Sequence, residues 1–385
     1  MKRIALVAFA AVGFAGGLFA DVIVFWKGSG SSRQSDAARD VSVTAWNAKS
    51  VSYKAGDKTG SVAVADLISL DRSGGTKSQD LADALDLLGS DPAAGMDALA
   101  GIVAKGNELD KEEAQYLRAQ TCFNAAADQS NMLAQAIAEH DAYVKKYKAG
   151  YFARDMYTQL ADLQYRARKD ADARATLKAM AGADPVLARL GHQKLGELEC
   201  RAGQWKAAIP AFKSANSAAG DDKTGKYVAM AWEGMATMKA GDAAAAKTLL
   251  ELVTSDEGFD DESTTEDEAA LAVAYPALGD AHFASGNFQK AYDSFVLAGY
   301  YQWWNGGNQE GYCLAQAYLC AKKLESTDEK WKQRADKLQQ ILAAGYPREL
   351  QRVSQAGSQP KDPPKDPPKK PDDQPGGATQ DPNKK

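Results

Sequence analysis

The stretch LGDAHFASGNFQKAYDSF, residues 278–295, decides the fold. Its apolar residues recur at helical spacing, yet Gly279 sits inside the first run, where glycine costs up to about 1 kcal/mol of helix propensity. Gly286 stands where a left-handed residue would end that first helix. Ala291 and Phe295 then share one face of a second helix. A small residue at 279 and another at 291 fit two antiparallel helices that cross closely, with Phe295 filling space toward a neighbour.

The pattern recurs. LGELECRAGQWKAAIPAF (195–212) repeats Leu195, Gly196, Gly203, an aromatic at Trp205, then Ala208 and Phe212. EGMATMKAGDAAAAKTLL (233–250) keeps Gly234, Gly241, Ala246 and Leu250. LADLQYRARKDADARATL (160–177) keeps Leu160, Ala161, Ala173 and Leu177, and Pro185 closes that unit. The equivalent small residues 161, 196, 234 and 279 lie 35, 38 and 45 apart, a period that marks stacked supersecondary units. The longest spacing holds DEGFDDESTTEDE (256–268), which lacks the ligand order of a calcium loop and reads as a solvated loop leading into an acidic helix start.

These residues resemble the tetratricopeptide repeat, with Leu278, Gly279, Gly286, Ala291, Phe295 and Ala298 as the best match. Tyr275 and His282 depart from the family pattern, and most units lack its closing proline. The resemblance is specific over 154–300 and is carried by helix pairs alone over 78–150 and 308–345. It implies a mostly α fold, a right-handed α-solenoid of about seven antiparallel helix pairs across residues 76–350. It also implies a scaffold that binds a peptide or protein along a groove lined by the first helix of each unit. One groove position falls at Arg166, Arg201 and Lys239, a basic ladder suited to an acidic peptide or a C-terminal carboxylate. Glu197, Asp280 and Phe283 belong to the same candidate groove. Against a binding role, Asp162 and Glu197 lie four residues before Arg166 and Arg201, the orientation that supports a helix internally. Met235 gives Lys239 no such partner, and Ala284 breaks the ladder.

Outside the repeats, residues 1–20 read as a secretory signal: Lys2 and Arg3, an apolar run, then small residues up to Ala20, with cleavage expected before Asp21. Residues 21–75 alternate as strands do, in DVIVFW, VSVTAW, SVSYK and SVAVADLISL. About four short strands are expected there, weakly resembling a small SH3-like or Sm-like barrel. Residues 351–385 hold eight of the thirteen prolines, and a disordered tail is expected. Helix starts are expected at Asp91-Pro92, at Asp110 with Glu113, and at Thr265 with Glu268.

The net charge of −5 argues against nucleic acid as a partner. Cys313 and Cys320, on one helix, would be separated by about 10 Å of rise, beyond disulfide reach, and all four cysteines read as buried small side chains. GDDKTGKY (220–227) approaches a phosphate-binding loop but places Tyr227 where a hydroxyl ligand for magnesium belongs. His140, His192 and His282 fall in different units, so no metal or cofactor site is expected. The expected protein is therefore a non-catalytic scaffold exported to the cell envelope or beyond, without a transmembrane segment once the signal is removed. Two alternatives stay open: a glycan-binding protein using the cluster Tyr300–Trp304, and an enzyme with a site between the β module and the solenoid.

Overall fold

A computed structural model describes residues 21–27, 34–72, 75–255, 265–304 and 309–356. The expected signal, residues 256–264 of the acidic insert and the expected tail from residue 357 lie outside the described residues. So do the side chains of Thr265, Trp303 and Trp304.

The N-terminal module is an antiparallel sheet of β1 (Asp21–Lys27), β2 (Gln34–Trp46), β3 (Ser50–Ala55), β4 (Lys58–Ala63) and β5 (Leu67–Asp71), in the order β4-β3-β2-β1-β5. The long β2 serves both halves: residues 34–41 pair with β1, and residues 42–46 pair with β3. Gly56 and Asp57 form the two-residue turn between Ala55 and Lys58, with Gly56 at φ +59°. Five strands replace the expected four because a 3-10 turn over Val64–Asp66 divides SVAVADLISL. Ile23, Val41, Val43, Val51 and Val62 form the sheet's core, and among the described residues no ladder joins its edges β4 and β5.

Fifteen α-helices follow among the described residues. They form seven consecutive pairs: α1 (Gln79–Ser90) with α2 (Pro92–Lys105), α3 (Glu108–Asp128) with α4 (Leu133–Lys146), and α5 (Ala153–Arg166) with α6 (Asp170–Ala183). Next come α7 (Pro185–Arg201) with α8 (Trp205–Ala218), α9 (Lys223–Lys239) with α10 (Ala243–Thr254), and α11 (Thr265–Ala284) with α12 (Phe288–Trp304). The last pair is α13 (Glu310–Leu324) with α14 (Glu329–Gly345). Each helix packs on the next in sequence, and successive first helices such as α7, α9 and α11 also touch, as stacking of a solenoid requires.

The close approach within each pair has a direct cause. A Cβ placed on Gly279 would lie 2.6 Å from Phe295 Cε1, and the same substitution at Gly196 or Gly234 would meet Phe212 or Leu250. Phe295 thus fills the space over its own unit's glycine and also reaches Tyr312 of the next unit, edge-on at 6.3 Å. Ala208, Ala246 and Ala291 are fully buried beside these contacts. Gly286, at φ +75°, ends α11 with Asn287 N donating to His282 O and Gly286 N to Phe283 O. That pair of bonds satisfies carbonyls the helix end would leave orphaned.

A last helix, α15 (Pro347–Ala356), packs on α13 and α14 and buries Val353 against Ala315 and Leu342. Ordered helix therefore extends six residues into the stretch read from sequence as tail. Asp91 caps α2 as expected, accepting from Ala94 N. At α3 the cap is Asn107, while Asp110 is committed to Arg72. The expected box at Thr265 lies outside the described side chains. No helix among the described residues is long and apolar enough to cross a membrane.

The sheet is anchored to the helices by buried polar contacts. Trp46 Nε1 and Tyr143 OH donate to the two oxygens of Glu112, at 2.8 and 2.5 Å. Arg72, 3% exposed, bonds Asp110 and Glu113 and stacks over the Trp46 ring.

Candidate partner-binding face

The first helices α7, α9, α11 and α13 present a face that encloses a cavity of about 380 Å³. Trp205, Trp232, Met235, Val273 and Pro276 supply its apolar lining. Glu197, Arg201, Lys239 and Asp280, four of the six residues expected in the groove, stand around it. The structure does not bring the other two there. Arg166 turns back to donate to Ala126 O near the end of α3. Phe283 packs edge-on against Phe288 inside its own unit.

The ladder's charges are matched across units. Arg201 Nη1 lies 3.1 Å from Asp162 in the preceding unit, and Lys239 Nζ lies 2.9 Å from Asp280 in the following one. Neither cation relies on an acid in its own helix. Glu197 instead accepts from Lys194 and Gln193. Asp280 also accepts from Tyr312 OH at 2.6 Å, and burial together with that carboxylate raises the phenol's pKa and keeps it a donor. Burial pushes the Cys200 thiol at the cavity wall up to about 12, so it stays protonated at neutral pH.

The floor of the cavity was not foreseen from sequence. Pro276 stands inside α11, and Gln302 of α12 donates through Nε2 to Ala272 O at 2.8 Å. The available signal was a proline at mid-helix, which always leaves the carbonyl four residues earlier without its helical donor.

Several other candidate groups have structural partners. Asp222 accepts from Gly225 N at 2.8 Å, so a carboxylate already occupies the helix N-terminus of the loop-like GDDKTGKY. His140 is fully buried between Ala136 O and Gln159, and burial lowers its pKa. The four cysteines are free and buried. Among the described residues, no group of three or more His, Cys, Asp or Glu is placed to hold a metal ion. Tyr301 stacks on Tyr275 at 5.5 Å, while Tyr300 is 53% exposed. A second cavity, about 690 Å³ between sheet and helices, is lined by Ile68, Tyr116, Val186 and two carboxylates, Asp155 and Asp222. Of these, Asp222 is held by Gly225 and Arg189.

These features define an α-solenoid of tetratricopeptide-like helix pairs with an N-terminal sheet. Similar solved structures include PilW, a type IV pilus biogenesis factor, at 18% identity over 62% of this chain and 98% of that one, with a TM-score of 0.43. Pseudomonas aeruginosa PilF is 14% identical over 64% of this chain and 99% of its own, at a TM-score of 0.44. The apo quorum sensor NprR of B. thuringiensis is 16% identical over 72% of this chain and 80% of its own, also at 0.44. No family model and no curated protein sequence matches the chain.

Proposed function

We propose that the protein is an interaction scaffold holding a peptide or an extended segment of another protein against the first-helix face. The cavity between α7, α9, α11 and α13 carries this reading. It is concave, mainly apolar, rimmed by a few placed polar groups, and large enough to fall within the usual range of ligand sites, about 300–1,000 Å³. Arg201, Lys239, Glu197 and Asp280 contact the flanks of the bound segment, and no bond-making chemistry is assigned to the protein. On this reading residues 1–20 are an export signal, and the scaffold works in the cell envelope or outside the cell.

The test is capture from an unbiased peptide array by the full chain. Binding should shift the fluorescence of Trp205 and Trp232, and the double reversal Arg201→Glu with Lys239→Glu should weaken capture without loss of helix content. An array that yields no peptide, or capture untouched by the double reversal, would remove this reading. Intact-mass measurement of exported protein tests the location: a chain beginning at Asp21 is expected, and retention of the apolar run counts against it.

A further inference from the structure

The floor of the cavity constrains what can sit in it. Pro276 has no N–H, so Ala272 O loses its helical donor, and Gln302 Nε2 replaces it at 2.8 Å. A carbonyl oxygen can only accept, so this bond fixes the carboxamide with its NH2 toward Ala272 and its Oε1 on the other side. Gln302 is 9% exposed and lines the cavity with Ala272 and Pro276. With Nε2 committed to Ala272 O, Oε1 is the acceptor that Gln302 has left, and among the described residues no donor is seen on it. Gln302 thus brings a spare acceptor to a cavity whose lining also includes Trp205, Trp232, Met235 and Val273. At the rim, Arg201 is matched by Asp162, Lys239 by Asp280, and Glu197 by Lys194. Among the described residues the cavity therefore offers no unmatched charge to a ligand, and a charged group entering it would lose water without gaining a partner.

We propose that this cavity is the anchor subsite of the peptide-binding face. It takes one bulky, uncharged, apolar side chain of an extended partner segment, and Gln302 Oε1 accepts the backbone N–H beside that side chain. This rests on the peptide reading above and adds the class of anchor and the atom that reads it. Pro276 acts as a positioning residue, because its missing N–H is what draws the carboxamide into place.

The test uses the full chain and acetylated, amidated nonapeptides of Gly, Ser and Ala, with Leu, Met, Phe, Glu or Lys at the centre. A second Leu peptide is N-methylated at the central amide. Titrations follow tryptophan fluorescence and calorimetry. The Leu, Met and Phe peptides should bind at least about tenfold tighter than the Glu and Lys peptides. N-methylation should cost about tenfold, the worth of one hydrogen bond. Gln302→Leu should show the same loss and become indifferent to N-methylation. Because that variant strands Ala272 O, the pair Pro276→Ala with Gln302→Leu serves as the folded control: the helix regains its own donor while Oε1 is gone. Preference for Glu or Lys, or N-methylation without effect on the original chain, would overturn the subsite. So would undiminished Leu-peptide binding by the double variant. If the unbiased array captures only peptides lacking an apolar anchor, the subsite falls while the peptide face stands. If it captures none, the face falls as well.

Discussion

The ring of Phe295 lies so close over Gly279 that an added Cβ would stand 2.6 Å from its Cε1. Glycine at 279 is therefore a packing requirement of the pair α11 and α12. Gly279→Ala gains up to about 1 kcal/mol of helix propensity, but overpacking typically costs about 1–3 kcal/mol, so net destabilisation is expected. Urea unfolding measures it. Gly279→Ala combined with Phe295→Leu should cost less than the sum of the two single changes, since the smaller side chain relieves the clash. Strict additivity would mean that the two residues do not press on each other.

Arg168 occupies the turn position that Gly203, Gly241 and Gly286 fill in later units, and it carries φ +61°. The hydrogen bonds are the same, Lys169 N to Gln164 O and Arg168 N to Tyr165 O. A left-handed conformation costs a residue with a Cβ roughly 1–2 kcal/mol, offset in part by the extra freedom glycine loses on folding. Arg168→Gly should therefore stabilise by about 0.5–1 kcal/mol, and Gly286→Arg should destabilise by a similar amount. Thermal unfolding of the two variants reads opposite shifts.

The repeat register was legible because its determinants are local in sequence. Leu278-Gly279, Gly286, Ala291 and Phe295 each act within one helix pair, and their recurrence marks four of the seven pairs, the others being read from helical periodicity alone. What escaped depends on which units become neighbours. Arg201 could be assigned a partner in its own helix, yet it pairs with Asp162, 39 residues earlier, because side chains of stacked first helices stand closer than helical geometry alone would show. Asp110 carries the sequence marks of a cap, but a buried Arg72 arriving from the sheet claims it. Gln302 has no local signal, since its role is set by Pro276 on another helix. Helix α15 was hidden by the proline-rich composition beyond it, although Leu350 and Val353 are spaced to share one face.

Glu112 joins the sheet to the helices, and burial raises its pKa despite the hydrogen bonds from Tyr143 and Trp46. The sign follows from linkage. A carboxyl with a raised folded pKa holds its proton longer in the folded state, so its contribution is full below the unfolded value and falls as pH rises through the folded one. Stability should therefore decline with pH in the window just above the ordinary glutamate pKa. Glu112→Gln should flatten that decline. An unchanged pH profile of the melting temperature would show that the carboxyl is not held in this way.

Helix α15 covers α13 and α14, the last repeat among the described residues, which would otherwise expose the apolar surface that a further unit covers in the middle of the array. Leu350 and Val353 cover Ala315, Leu342 and Tyr346, with Val353 only 2% exposed. Terminal units of a solenoid have a neighbour on one side only, so a cap there contributes to the stability of the units next to it. Full burial of a side chain like Val353 is worth about 1.5–3 kcal/mol, and the partly buried Leu350 adds less. Two shortened chains separate this effect from anything beyond the helix, one ending at Ala356 and one at Tyr346. The chain ending at Tyr346 should melt lower by several degrees and show faster amide exchange in α13 and α14, with α5 and α6 unchanged. Val353→Asp in the longer chain should reproduce much of that loss by placing an unpaired charge in the same contact. Equal melting of the two shortened chains would mean that α14 needs no cover.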